Sequence, residues 1–194
     1  MADQHDPGAD PQAITDALQG AIDRGENVQV LRRAGAHPTW NGFPLALGDE
    51  LVLMRSLHEF AVNGFAVMRL RDITAVLATD AERFFERVLR AEGALDQPPP
   101  PRPVPLRSWR AALEAVRAHY RHAIIECERP EGSDFFLGEL AGVEGDEATI
   151  HYIQVNGTRE GALTRVPLDD ITLLRFDERY VNLFGRYAVA DDQH

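Results

Sequence analysis

The sequence predicts an α+β protein in which one small β-rich unit, flanked by helices, is built twice. Two observations lead there. The stretch Gly48 to Thr74 (GDELVLMRSLHEFAVNGFAVMRLRDIT) has an echo from Gly145 to Thr172 (GDEATIHYIQVNGTREGALTRVPLDDIT). Gly48-Asp49-Glu50 returns 97 positions later as Gly145-Asp146-Glu147, and Asp72-Ile73-Thr74 returns 98 positions later as Asp170-Ile171-Thr172. Between the copies, residues 93–107 (GALDQPPPPRPVPLR) break all apolar periodicity. The expected organisation is a disordered tail over 1–11, a first helix–strands–helix unit over 12–92, a Pro-rich link over 93–107 and a second unit over 108–190.

The elements follow from local pattern. Asp10-Pro11 opens a helix, because Asp caps free N–H groups and Pro is tolerated in the first turn. Ile14, Leu18 and Ile22 form its apolar stripe, and Gly25 stops it. From Asn27 the period becomes two. Val28 and Val30 mark a first strand, followed by a turn at Gly35, and Trp40 to Leu47 mark a second with a bend at Gly42. Leu51 to Leu57 and Gly64 to Leu70 mark a third and fourth, with Asn63-Gly64 as the turn signal between them. A fifth runs from Ile73 to Leu77 after a tight turn held by Asp72. Thr79 with Glu82 forms a capping box for a second helix carrying Phe84, Phe85, Val88 and Leu89. The prolines at 98–101, 103 and 105 favour an extended spacer, the alternative being a docking motif for SH3-type or WW-type partners.

The second unit repeats this order. Ser108 caps a helix bearing Trp109, Leu113, Val116 and Tyr120. Ile125 and Cys127 are matched to Val28 and Val30, Gly132 to Gly35, and Phe136-Leu137-Gly138 to Trp40-Asn41-Gly42. Strands around Ile150 and Leu163 follow, and Asp177 opens a last helix with Tyr180, Leu183, Phe184 and Tyr187.

Composition narrows the functional classes. Apolar residues make up 44% and charged residues 26%, values ordinary for a globular chain. The lone cysteine, Cys127, leaves no internal disulfide framework and suits a reducing compartment. With no basic, apolar leader and no run long enough to span a bilayer, the protein is expected to be cytoplasmic with no membrane partner. Net charge is −11, and all 20 basic residues are arginine. Long-range repulsion from that charge argues against a nucleic-acid partner.

A helix followed by five short, bent strands with a tight turn before the fifth resembles the small five-stranded antiparallel barrels of the Sm-like and SH3-like class. The residues that carry the likeness are Asn63 to Ile73 and Leu168 to Thr172. The whole chain also resembles bacterial proteins built of two such halves around a Pro-rich link, a likeness that brings no activity with it. The resemblance implies two closed barrels, each flanked by an N-terminal and a C-terminal helix. It also implies where Sm-type RNA contacts would fall: an Asn near Leu47-Gly48-Asp49-Glu50 or Val143-Glu144-Gly145-Asp146, and an Arg-Gly near Arg69-Leu70-Arg71-Asp72 or Val166-Pro167-Leu168-Asp169. Neither signature is present at those positions.

No catalytic, cofactor or metal site is expected. His119 and His122, with Glu126, Cys127 and His151, are the right ligand types for zinc, but their spacing fits no closed-site pattern. Asp49, Glu50 and Asp72, with Asp146, Glu147 and Asp170, read as turn residues that bond local backbone. Cys127 reads as a small buried apolar group, Trp40 and Phe136 as core, and Trp109 with Tyr120 as the face docking its helix. Arg69, Arg165, Arg175 and Arg179 are expected to pair with surface carboxylates. The function this supports is non-catalytic: recognition of an unidentified protein partner or self-association. The alternative is RNA or single-stranded nucleic acid bound on the barrel face.

Overall fold

In the computed structural model, which describes residues 10–33, 38–95, 102–129 and 132–190, helices begin where side chains cap them. Asp10 accepts from the Gln12 N–H at the start of α1 (Pro11–Arg24), which ends at left-handed Gly25. Thr79 and Glu82 form the capping box of α2 (Asp80–Ala91). Ser108 accepts from Ala111 N–H at α3 (Trp109–His119). The fourth helix differs: α4 (Arg179–Tyr187) starts after Glu178, which makes no side-chain cap. Instead Asn63, from the first half, accepts from the Arg179 N–H at 3.2 Å. Asp177 stands before the helix with φ 55° and accepts from the Asn182 side chain.

The first half contributes β1 (Val28–Arg32), β2 (Thr39–Leu47), β3 (Leu51–His58), β4 (Ala61–Arg69), a 3-10 turn (Leu70–Asp72) and β5 (Ile73–Leu77). The second contributes β6 (His122–Arg129), β7 (Gly132–Glu144), β8 (Glu147–Tyr152), β9 (Thr158–Arg159), β10 (Thr164–Pro167), β11 (Leu173–Phe176) and β12 (Val189–Ala190). Of the expected tail over 1–11, residues 1–9 lie outside the described residues, as do the turn at Gly35 and the prolines at 98–101, while Asp10 and Pro11 belong to the start of α1.

The expectation of two closed five-stranded barrels is overturned. Ten strands form one open antiparallel sheet in the order β10-β8-β7-β6-β11-β4-β3-β2-β1-β5, while β9 and β12 pair separately in parallel. Closing a barrel would require β4 to meet β5, or β10 to meet β11. The outer edge of β4 is instead filled by β11 of the other half, with Leu173 opposite Met68 and Phe176 opposite Phe65. Burial gives the reason. Leu51 to Met54 and Gly64 to Arg69 are buried on both faces, as central strands of a layered sheet are. One face, with Val52, Met54, Ala66 and Met68, packs beneath α1 and β1. The other, with Leu51, Leu53, Phe65 and Val67, shares a core with α3, β6, β8 and β11. That second core also takes in Val104 and Leu106 from the Pro-rich link.

Across the sheet the first half reads β4-β3-β2-β1-β5 and the second β10-β8-β7-β6-β11, one strand order stated twice. Local detail agrees. Both halves bulge at matching places, between Pro44 and Ala46 and between Leu140 and Gly142. Gly42 pairs with Ser56 and Gly138 with Tyr152. A Cβ on either glycine would lie 2.1 Å from a backbone oxygen, that of Arg55 or of His151. In each half one amide closes the turn before the last strand: Leu70 N–H donates to Glu50 O and Leu168 N–H to Asp146 O, both at 2.9 Å.

This register corrects two sequence matches. Val30 pairs with Val76 and Ile125 with Leu174, so Ile125 corresponds to Val30 and Cys127 to Arg32. A shift of two keeps each side chain on its face, which is why the apolar pattern concealed it. Glu50 corresponds to Asp146, so the Gly-Asp-Glu echo is one residue out of step. Gly48 is required by the Leu106 carbonyl 2.5 Å from its would-be Cβ, whereas Gly145 has open space and φ 55°.

Candidate functional site

The structure has two kinds of sheet edge, and they define the site. The seam is the occupied kind. Phe65 to Met68 of β4 pair with Leu173 to Phe176 of β11. Asn63-Gly64 lies inside β4 at this seam and is not the hairpin turn, which falls at Glu59-Phe60 with Glu59 at φ 54°. Gly64 has φ 69°, and a Cβ there would sit 2.6 Å from Phe176 O and from Glu178 N. Glycine therefore lets the two halves approach, and Asn63 caps the helix that follows.

Buried charge reinforces the contact between halves. Arg32 of β1 and Glu128 of β6 form an ion pair whose side chains are 1% and 0% exposed. Thr172 adds a hydroxyl donor to Glu128 Oε2 at 2.8 Å. Arg175 on β11 bonds Glu126 at 2.7 Å and Glu178 at 2.6 Å and lies over the Trp40 ring. Burial pushes the Glu178 carboxyl up from its ordinary value against the pull of Arg175. The pattern of apolar residues gave no signal for either cluster, because it records faces and not the partners of long polar side chains.

The unoccupied edges are β5 and β10, at opposite ends of the sheet. Among the described residues β5 pairs only with β1, and β10 only with β8. Each ends near an exposed leucine, Leu77 or Leu163. Arg165 on β10 pairs with Glu144 and Glu147, as expected of a surface charge.

A hollow of about 460 Å³ opens where the turn before β5 meets α1 and α3, lined by Arg33, Arg69, Arg71, Trp109, Asp49, Glu50 and Asp169 among others. Arg69 is not the surface ion pair the sequence suggests. It is buried, donates to Leu168 O at 2.7 Å and lies over Trp109. Burial lowers its pKa, with Arg71 adding to the effect. Among the described residues neither Arg33, Arg69 nor Arg71 has an ion-pair partner, and Trp109 Nε1 is buried without an acceptor. Trp109 does dock its helix, as expected.

The histidines separate. His119 is exposed at the end of α3. His122 and His151 share a row across β6, β7 and β8 with Glu139 between them, which sets the two about 10 Å apart by strand spacing. Glu139 is already held by Arg121 and Arg159 at 2.8 and 2.7 Å. Arg121 draws its pKa below the ordinary value, against burial. His122 lies under Gly185, and burial lowers its pKa. Among the described residues no group of three or more His, Cys, Asp and Glu is placed to hold a metal ion. Burial raises the Cys127 thiol to about 11, the state of an inert core residue. Asp72 and Asp170 stand at turns but do not bond local backbone through their side chains. Asp72 Oδ2 is buried with no hydrogen-bond partner among the described residues while its backbone O accepts from Arg33 N–H, and Asp170 Oδ2 accepts from the Arg129 guanidinium at 2.9 Å.

No protein-family model matches the chain, and no curated protein or solved structure matches it. No helix among the described residues is long and apolar enough to cross a membrane.

Proposed function

We propose that the protein is a non-catalytic assembly protein that binds other polypeptides by adding strands to its sheet. The observation that carries this reading is the pair of end strands, β5 and β10, of a ten-stranded sheet, each without an outer partner among the described residues. An open strand presents a row of N–H and C=O groups that a further strand satisfies. The seam supports it from within, since β4 and β11 already join two strand edges that lie far apart in sequence. The test is to isolate the protein from its own cells and measure the mass and stoichiometry of what it carries. A defined complex that is lost when β5 or β10 is blocked by proline is expected. A strictly monomeric protein with no bound polypeptide overturns the reading.

The rival reading, single-stranded nucleic acid, is favoured by the hollow in which Arg33, Arg69 and Arg71 gather near Trp109. Guanidinium groups and an aromatic ring are the groups such ligands use. Asp49, Glu50 and Asp169 in the same hollow, and a net charge of −11, oppose it. A low-salt titration with single-stranded RNA, followed by tryptophan fluorescence, decides. Saturable quenching that Arg69→Gln abolishes supports the RNA reading, and no change at micromolar protein removes it.

A further inference from the structure

We propose that copies of this chain join head to tail, with β10 of one pairing antiparallel to β5 of the next in the register of the internal seam. This rests on the strand-addition reading above and names the partner as a second copy of the chain.

The seam supplies the argument. Residue correspondence assigns β11 to β5, because Leu174 pairs with Ile125 as Val76 pairs with Val30. It assigns β10 to β4, because Val166 pairs with Ala148 as Met68 pairs with Val52. The seam between β4 and β11 is thus a fourth strand of one half meeting a fifth strand of the other. Among the described residues, what remains unpaired on its outer side is one fifth strand, β5, and one fourth strand, β10. Both halves run the same way across the sheet, so the two free edges of a single chain cannot meet each other without bending the sheet closed. Those of successive copies can. Transferring the seam pairs Leu173–Met68, Leu174–Val67, Arg175–Ala66 and Phe176–Phe65 places Ala75 opposite Val166, Val76 opposite Arg165, Leu77 opposite Thr164 and Ala78 opposite Leu163. The exposed Leu77 and Leu163 fall within the new contact.

Pro167 does not oppose this pairing. An edge proline blocks strand addition when it removes a donor that the new ladder needs. Pro167 corresponds to Arg69, which lies one residue beyond the last paired seam residue, Met68. The polar side of the contact does differ from the seam. Where β4 presents Phe65 and Val67 to a buried core, β10 presents Leu163 and exposed Arg165. Backbone pairing with a polar flank makes the contact between copies weaker than the seam and reversible by dilution. A heterologous contact of this kind generates rings or open chains.

The experiment is native mass measurement on the full chain and on two variants, Val76→Pro and Arg165→Pro. Each removes an amide that the seam correspondence directs away from the neighbouring strand. The unaltered protein is expected to give assemblies of more than two copies. Each variant alone is expected to be a monomer, and their equimolar mixture a one-to-one pair, because one retains β10 and the other β5. A monomeric unaltered protein at the highest concentration reached overturns the proposal, as does self-association of either variant alone. If the variants fail to fold, amide exchange on the unaltered protein replaces them. Protection of 75–78 and 163–166 that rises with concentration supports the pairing, and protection independent of concentration overturns it. A monomeric chain that still carries another polypeptide, lost on blocking an edge, would sink the copy-to-copy contact while leaving strand addition intact.

Discussion

The two halves share a strand order, a bulge and two crossing glycines, yet they are dressed differently. In the first half β3 and β4 are buried on both faces. Their counterparts β8 and β10 carry Glu147, Thr149 and Arg165, and among the described residues β10 has an open side. Backbone arrangement is thus the same in both places, and side chains decide which edge is permanently covered. Apolar Phe65 and Val67 accompany a covered edge, and charged Arg165 accompanies an uncovered one. The difference teaches that the seam, rather than closure within a half, is where this fold gains its core.

The comparison can be broken first at the charge joining the halves. Arg32→Ala leaves Glu128 buried and unpaired, a loss of about 3–5 kcal/mol, and urea unfolding should show it as one cooperative transition moved to lower denaturant. Replacing both residues by apolar ones of similar volume should recover much of that loss; no recovery would mean that the halves meet by some other contact. Next come the equivalent glycines. Gly42→Ala and Gly138→Ala each drive a Cβ into a backbone oxygen and should destabilise by about 1–3 kcal/mol, like other overpacking changes. Similar losses sharpen the equivalence, whereas a tolerated Gly138→Ala beside a damaging Gly42→Ala breaks it.

Smaller effects follow. Asn63→Ala removes the cap that the first half supplies to α4, worth about 1 kcal/mol, and should loosen that helix in amide exchange while leaving α2 unchanged. Least of all is an acid effect that begins in the second half. The His122 pKa lies below its ordinary value of 6.5, so the unfolded chain takes up this proton first. Its stabilisation is complete above that value and is lost as pH falls. Glu139 likewise lies below its ordinary 4.5 and loses its contribution on further acidification. His122→Asn should flatten the first step of the stability–pH curve and leave the second.

Much of the fold was legible. Caps at Asp10, Thr79 and Ser108 and the strand positions in the first half follow from local pattern, because caps and period-two runs act within a few residues. The seam was not, since which edge meets which is a long-range choice. A clue was present nonetheless: Leu51-Val52-Leu53-Met54 and Phe65-Ala66-Val67-Met68 are continuous apolar runs, the mark of strands covered on both sides. Asn63-Gly64 gave a true signal with the wrong cause, since its left-handed glycine serves the seam and not a turn. Of the candidate chemistry, burial of Cys127 and the docking of Trp109 were readable from residue type. The burial of Arg69 and the buried Arg32–Glu128 pair were not, because a lone arginine in a strand looks the same in sequence whether it faces water or core.

The most direct test is residue-resolved amide exchange at high dilution, comparing Val67 and Leu174 at the seam with the interiors of β3 and β6. A single sheet predicts that the seam amides fall in the slowest class, beside those interiors, while outward amides of β5 and β10 exchange quickly. Seam amides exchanging as fast as those open edges, with β3 and β6 still protected, would show two separate units and contradict the account.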